Sequence, residues 1–120
     1  MPITAVILIG LIAALHLYIL WIEMFAWESR GPKIFRSVPR TLFAPTKVMA
    51  ANQGLYNGFL AAGLIWSLLI FDPLWAPRIA SFFLLCIVVA GTYGAATAAR
   101  RIFYVQTVPA ALALAALWLL

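Results

Sequence analysis

The sequence predicts an all-α integral membrane protein: an up-down bundle of four spanning helices that assembles into an oligomer. Three observations predict it. Of the 120 residues, 67% are hydrophobic and only 9% are charged, with a mean hydropathy of +1.09. A soluble domain of this length cannot hide that much apolar surface, so lipid must cover part of it. The apolar residues fall into four runs, about 3–27, 48–71, 79–98 and 102–120, each near the ~20 residues a bilayer needs. The cations collect between the first and second runs and between the third and fourth, a topology signal.

The first run lacks a basic leading segment and a small-residue cleavage site, and it is too long for a signal peptide, so it reads as a retained helix. It carries His16 and Glu23 in otherwise apolar company. The connection that follows is long and basic, with Arg30, Lys33, Arg36, Arg40 and Lys47, and Pro32, Pro39 and Pro45 oppose a continuous helix there. The second run opens with Asn52, Gln53, Tyr56 and Asn57, and its Gly54 and Gly58 let another backbone approach closely. A tight turn from Asp72 to Arg78 leads to the third run, where Gly91, Gly94, Ala95 and Ala98 form a second small-residue surface near Tyr93. Arg100 and Arg101 separate it from the fourth run, which begins with Tyr104 and Gln106.

Connections one and three hold seven Lys and Arg, and connection two holds one. The positive-inside rule therefore places one and three in the cytoplasm of a bacterial inner-membrane protein, with both termini outside. Trp21, Trp27, Trp75 and Trp118 lie near run ends, as an aromatic belt requires. The net charge of +5 flanks apolar runs and forms no aromatic-basic stripe, so nucleic acid is not an expected partner. One cysteine, Cys86, excludes an intrachain disulfide and reads as packing. A single histidine and one nearby carboxylate make a poor ligand set, so no metal site is expected, and no phosphate loop or nucleophile motif points to a cofactor. The two halves show no repeat of the kind found in inverted-repeat transporters.

An ionisable group inside a spanning helix is costly and rarely left without a partner. At ~1.5 Å per residue, Glu23 lies ~6 Å and His16 ~16 Å from the cytoplasmic end of the first run. Counted the same way, Asn52 and Gln53 lie ~8–9 Å deep, Tyr56 and Asn57 ~14–15 Å, Tyr93 ~10 Å, and Tyr104 and Gln106 ~5–8 Å. The polar side chains of all four runs thus fall in the cytoplasmic half, while the outer half is almost wholly aliphatic. A transport path needs lining through the full thickness; a pocket needs one opening. By level, Glu23 is expected to meet Asn52, Gln53 or Gln106, and His16 to meet Asn57 or Tyr93. Glu23 is expected to be hydrogen-bonded to amides rather than ion-paired to the basic loop.

These residues also carry a resemblance. His16-Leu-Tyr18, Ile22-Glu23-Met24-Phe25, Asn52-Gln-Gly-Leu-Tyr-Asn-Gly-Phe-Leu60, Gly91-Thr-Tyr-Gly94 and Val105-Gln106 resemble a family of short four-span bacterial membrane proteins, domain of unknown function 1304. The resemblance spans nearly the whole chain and implies no activity. A second resemblance is shorter. Ala51-Asn52-Gln53 with Asn57, and Arg101-x-x-Tyr104-x-Gln106, are similar to stretches of the membrane-associated eicosanoid and glutathione metabolism (MAPEG) proteins. That similarity implies four-helix trimers with ligand sites between subunits towards the cytoplasm. Gly54 stands where that family usually has Asn, Asn57 where it often has an acid, and no Arg follows Gln106, so glutathione chemistry is not implied.

The expected function is binding or conversion of a small lipophilic molecule in a polar pocket open to the cytoplasm. Glu23 or His16 would transfer a proton. Asn52, Gln53, Tyr56, Asn57, Tyr93, Tyr104 and Gln106 would orient the ligand. The competing readings are a proton-coupled small-molecule exporter using Glu23, and a structural membrane protein without catalysis. The expected partners are the lipid bilayer, other copies of the chain in a dimer or trimer, and a small-molecule ligand.

Overall fold

A proline opens the first helix and a change of backbone direction closes it. Pro2 precedes α1, Ile3–Phe25, whose 23 residues are apolar apart from Thr4, His16, Tyr18 and Glu23. Its end comes two residues earlier than the apolar run, because Ala26 leaves helical geometry at φ −137° and ψ 28°. The N–H groups of Arg30 and Gly31 then both turn back to the Ala26 carbonyl. This computed structural model describes residues 1–120, which form helices and no strand.

The prolines of the long connection do prevent a continuous helix, yet the segment is folded. It holds a short helix α2, Gly31–Ile34, with Pro32 in its first turn, and a 3-10 turn at Arg40–Leu42 that follows Pro39. Phe43 is buried against Trp27, their ring centroids 4.7 Å apart, and Phe35 packs on the same indole at 5.4 Å. Trp27 Nε1 donates to Thr46 Oγ1 at 3.1 Å. Gly31 is buried beneath these rings, where a Cβ would meet Phe43 and Trp27.

Helix α3, Lys47–Leu69, follows. Helix α4 spans Trp75–Thr97 and starts four residues before the expected third run. Asp72 explains the early start: its Oδ1 accepts from the backbone N–H groups of Leu74 and Trp75, both at 2.9 Å. Pro77 then sits in the first turn, where no backbone donor is needed. The C-terminal helix begins with a π-helical turn, Phe103–Thr107, and continues as α5, Val108–Leu119.

The four long elements pack side by side, and successive ones run antiparallel. Helix α1 lies along α3 and also touches α5; α4 packs on α3, on the π-turn and on α5. At one end the core is aliphatic: Ala5, Ile9, Ile12 and Ala13 of α1 meet Leu64 of α3, Ala80, Leu84 and Ile87 of α4, and Ala110, Ala113, Ala116 and Leu117 of α5. Alanines dominate the α5 face, so that helix can approach its neighbours closely.

Two helices, α1 and α4, are long and apolar enough to cross a membrane. Only 28% and 22% of their apolar stretches is buried inside the protein, whereas the core helix of a soluble protein is mostly covered. Helix α3 has the same length, but Lys47, Asn52, Gln53 and Asn57 lie in its first half. Large apolar side chains such as Phe25, Val48, Met49, Phe71 and Val89 are exposed.

Candidate functional site

Glycines bring α1 and α3 together. Gly54 is buried against α1: a Cβ there would lie 2.9 Å from Glu23 Cβ and 3.2 Å from the Leu20 carbonyl oxygen. Leu20 also covers Gly58. The Gly54-xxx-Gly58 pair therefore seats a helix, as its spacing implies.

This close approach delivers Glu23 to α3. Glu23 is 3% exposed as a residue, and its Oε1 accepts a 2.7 Å hydrogen bond from Asn57 Nδ2. The same Asn57 nitrogen donates to the Gln53 carbonyl at 3.2 Å. No basic side chain pairs with Glu23; the ion pair of the chain joins Lys47 and Glu28 at 3.5 Å, on the surface. One carboxylate oxygen of Glu23 is thus held by an amide, and its second oxygen takes no hydrogen bond. A carboxyl group so placed can accept or donate a proton through the free oxygen, with Asn57 fixing its orientation.

His16 is fully buried two turns away. The Ile12 carbonyl can only accept, so the Nδ1 hydrogen of His16 donates to it at 2.8 Å. Gln106 Nε2 then donates to His16 Nε2 at 3.3 Å. Both ring nitrogens are used within the protein, and the imidazole acts as a bridge between α1 and the C-terminal helix. Gln106 stands on the π-turn, whose extra residue changes the facing of the side chains before it. Of the two candidate proton-transfer groups, only Glu23 keeps an atom free for a ligand.

The pairing by depth is corrected: Glu23 meets Asn57 instead of Asn52, Gln53 or Gln106, and His16 meets Gln106 instead of Asn57 or Tyr93. Rotation about the helix axis is the reason. Gly54 faces α1, Asn57 lies ~60° from it, and Asn52 and Tyr56 lie ~160° from it at ~100° per residue. Asn52, Gln53 and Tyr56 are exposed, and Asn52 Nδ2 donates to its own helix at the Val48 carbonyl, 2.9 Å away. Tyr93 and Tyr104 are exposed on α4 and on the π-turn. The structure therefore brings together Glu23 with Asn57 and His16 with Gln106, and leaves the other five candidates on outward faces. Two apolar grooves along α4 lie away from these pairs, one lined by Trp66, Trp75 and Phe83, the other by Leu85, Cys86 and Tyr93, with Phe82 in both.

Thr107 escaped the sequence reading. It is buried, its Oγ1 lies 3.4 Å from Thr92 Oγ1 and donates to the Val88 carbonyl at 3.5 Å. The signal was Gly91, whose missing side chain leaves the space that Thr107 fills.

A curated relative, the uncharacterized protein YpaA of Lactococcus lactis subsp. lactis (strain IL1403), is 33% identical over 123 residues, which cover 95% of this chain and 96% of YpaA. No solved structure matches. Of the two resemblances in the sequence, these matches show the first, and they do not show a relation to the MAPEG proteins. Residues 10–118 match the family described as "Protein of unknown function (DUF1304)", and the chain belongs to that family.

Proposed function

We propose that the chain is a four-span bacterial inner-membrane protein that binds or converts a small lipophilic molecule at Glu23, from the cytoplasmic side. In this reading α1, α3, α4 and the C-terminal helix all cross the bilayer, the basic connections face the cytoplasm, and both ends of the chain lie outside. The observation that carries it is the buried Glu23 carboxyl group: one oxygen on Asn57, no cation, and a free second oxygen inside an apolar helix. Such a group is expensive in hydrocarbon, and intramembrane carboxyls of this kind mark sites of binding or proton exchange.

The exposed polar side chains support an oligomer. Asn52, Tyr56, Tyr93 and Tyr104 point outward within the membrane zone, where lipid offers them no hydrogen bonds. A neighbouring copy would cover them. The exporter reading is less well supported, because the aliphatic core at the opposite end gives a solute no polar lining.

Dicyclohexylcarbodiimide tests the site. This lipophilic reagent couples to carboxyl groups that carry a proton and are reachable from the membrane phase. In membranes it should label Glu23 in preference to Glu28 and Asp72, and Glu23→Gln should abolish that label. An unlabelled Glu23 in membranes where the reagent is active elsewhere would refute a ligand-accessible carboxyl group.

A further inference from the structure

The chain has three acidic side chains, and none of them pairs with the cations beside α2. Glu23 is buried on Asn57, Glu28 pairs with Lys47, and Asp72 organises the first turn of α4 at the opposite end of the molecule. The cations beside α2 therefore have no internal anion. Two of them are held in place all the same. Arg36 Nε donates to the Lys33 carbonyl at 3.3 Å, and Arg101 Nη1 donates to the next carbonyl, Ile34, at 3.5 Å. Two guanidinium groups thus cap the end of one short helix from opposite directions in the sequence. Each has five N–H donors and uses one. Lys33 is exposed on the same turn.

The arrangement is fixed from below. Trp27, Phe35 and Phe43 anchor α2 to the end of α1, and Arg101 ties it to the start of the C-terminal helix. Two preplaced planar forks suit a phosphate, whose oxygens accept bidentate hydrogen bonds. The apolar surroundings select the source of that phosphate. Phe25 is 73% exposed and Phe103, two residues beyond Arg101, is 37% exposed; acyl chains can lie against both while a headgroup sits on the arginines.

We infer that Lys33, Arg36 and Arg101 form a seat for the phosphate of an anionic phospholipid in the leaflet facing the basic connections. The inference rests on the membrane placement in the proposed function and is independent of the Glu23 chemistry, so the carbodiimide result and the lipid result can fail separately. Clustered cations next to spanning helices attract anionic lipids in general. The paired guanidinium groups on adjacent carbonyls add a specific geometry to that attraction.

The test uses the full chain in an uncharged maltoside detergent, with thermal unfolding read during titration of phosphatidylglycerol, phosphatidylcholine or inorganic phosphate. Phosphatidylglycerol should raise the melting temperature saturably, at roughly tenfold lower concentration than phosphatidylcholine needs, because the choline cation of the latter offsets its phosphate and opposes the three basic side chains. Arg36→Gln with Arg101→Gln should erase that preference, while Arg78→Gln at the other end should keep it. Arg36→Lys with Arg101→Lys retains the charge and removes the forks; it should lose most of the preference, and it decides the matter if the glutamine variant does not fold. Equal response to the two lipids, full preference in the lysine variant, or the same shift with inorganic phosphate would each overturn the inference.

Discussion

Replacing Gly54 with alanine tests the contact that builds the site. A Cβ at that position would lie 2.7 Å from Met24 Cγ, 2.9 Å from Glu23 Cβ and 3.2 Å from the Leu20 carbonyl oxygen, against 3.4–4 Å for ordinary contact. The methionine can swing away. The other two atoms are fixed to the α1 backbone, so the helices must separate by several tenths of an ångström. Overpacking of this kind costs about 1–3 kcal/mol. Alanine also gains about 1 kcal/mol over glycine in a helix interior, which masks part of the cost. Gly10→Ala is the control, since a Cβ there meets nothing within 4 Å, and the helix gain is common to both. The two variants should therefore differ by about 1–3 kcal/mol, or roughly 4–12 °C in melting temperature for a chain of this size. Thermal unfolding in one detergent, followed by circular dichroism, measures the difference. Equal melting temperatures would mean that α1 does not rest on Gly54, and the placement of Glu23 would fall with it.

Asn57→Leu should cost about 1–2 kcal/mol by stranding the Glu23 carboxyl group, while Glu23→Leu with Asn57→Leu should recover most of that loss; strictly additive effects in a double-mutant cycle would show that the two side chains do not interact. Phe43→Ala empties the ring stack on Trp27 and should cost about 3 kcal/mol, seen first as faster proteolysis between Arg36 and Arg40; an unchanged cleavage rate would mean that the connection is loose from the start. In a Cys86→Ala background, a cysteine at Ser37 should react only from the cytoplasm and one at Leu74 only from outside, both positions being exposed. Labelling of each from both sides would overturn the single orientation.

The sequence announced helices where apolar residues ran on, and the structure has a helix in each run. Their ends were harder to read. Trp27 continues the apolar pattern but belongs to an aromatic stack with Phe43, a partner distant in sequence. The start of α4 depends on a side-chain cap from Asp72, which lets Pro77 fall inside the helix. At the site, an amide partner for Glu23 was readable because its surroundings hold no cation at that depth. Which amide was not readable, because depth along a helix says nothing of rotation about it. Gly54 fixes that rotation, and Asn57 then faces α1 while Asn52 faces away. The mark of the π-turn in the sequence is Pro109, just beyond it, which has no N–H to give the Val105 carbonyl and so opposes ordinary winding there; Thr107 at the end of the turn fits the space at Gly91.

That wide turn makes the chain tolerant of a change in length at one place. A π-helical turn holds one residue more than an α-turn needs, so a single deletion within Phe103–Thr107 could relax the helix to ordinary winding instead of breaking it. The alanine face of α5 would stay on its neighbours, and the segment before the deletion would turn by ~100°. Arg101 would then leave α2, and with the deletion at Gln106 or Thr107 the amide would leave His16 as well. Relatives that differ by one residue in this stretch should therefore be able to keep the same packed helices while exchanging the chemistry presented to α1, a route by which one scaffold acquires different occupants.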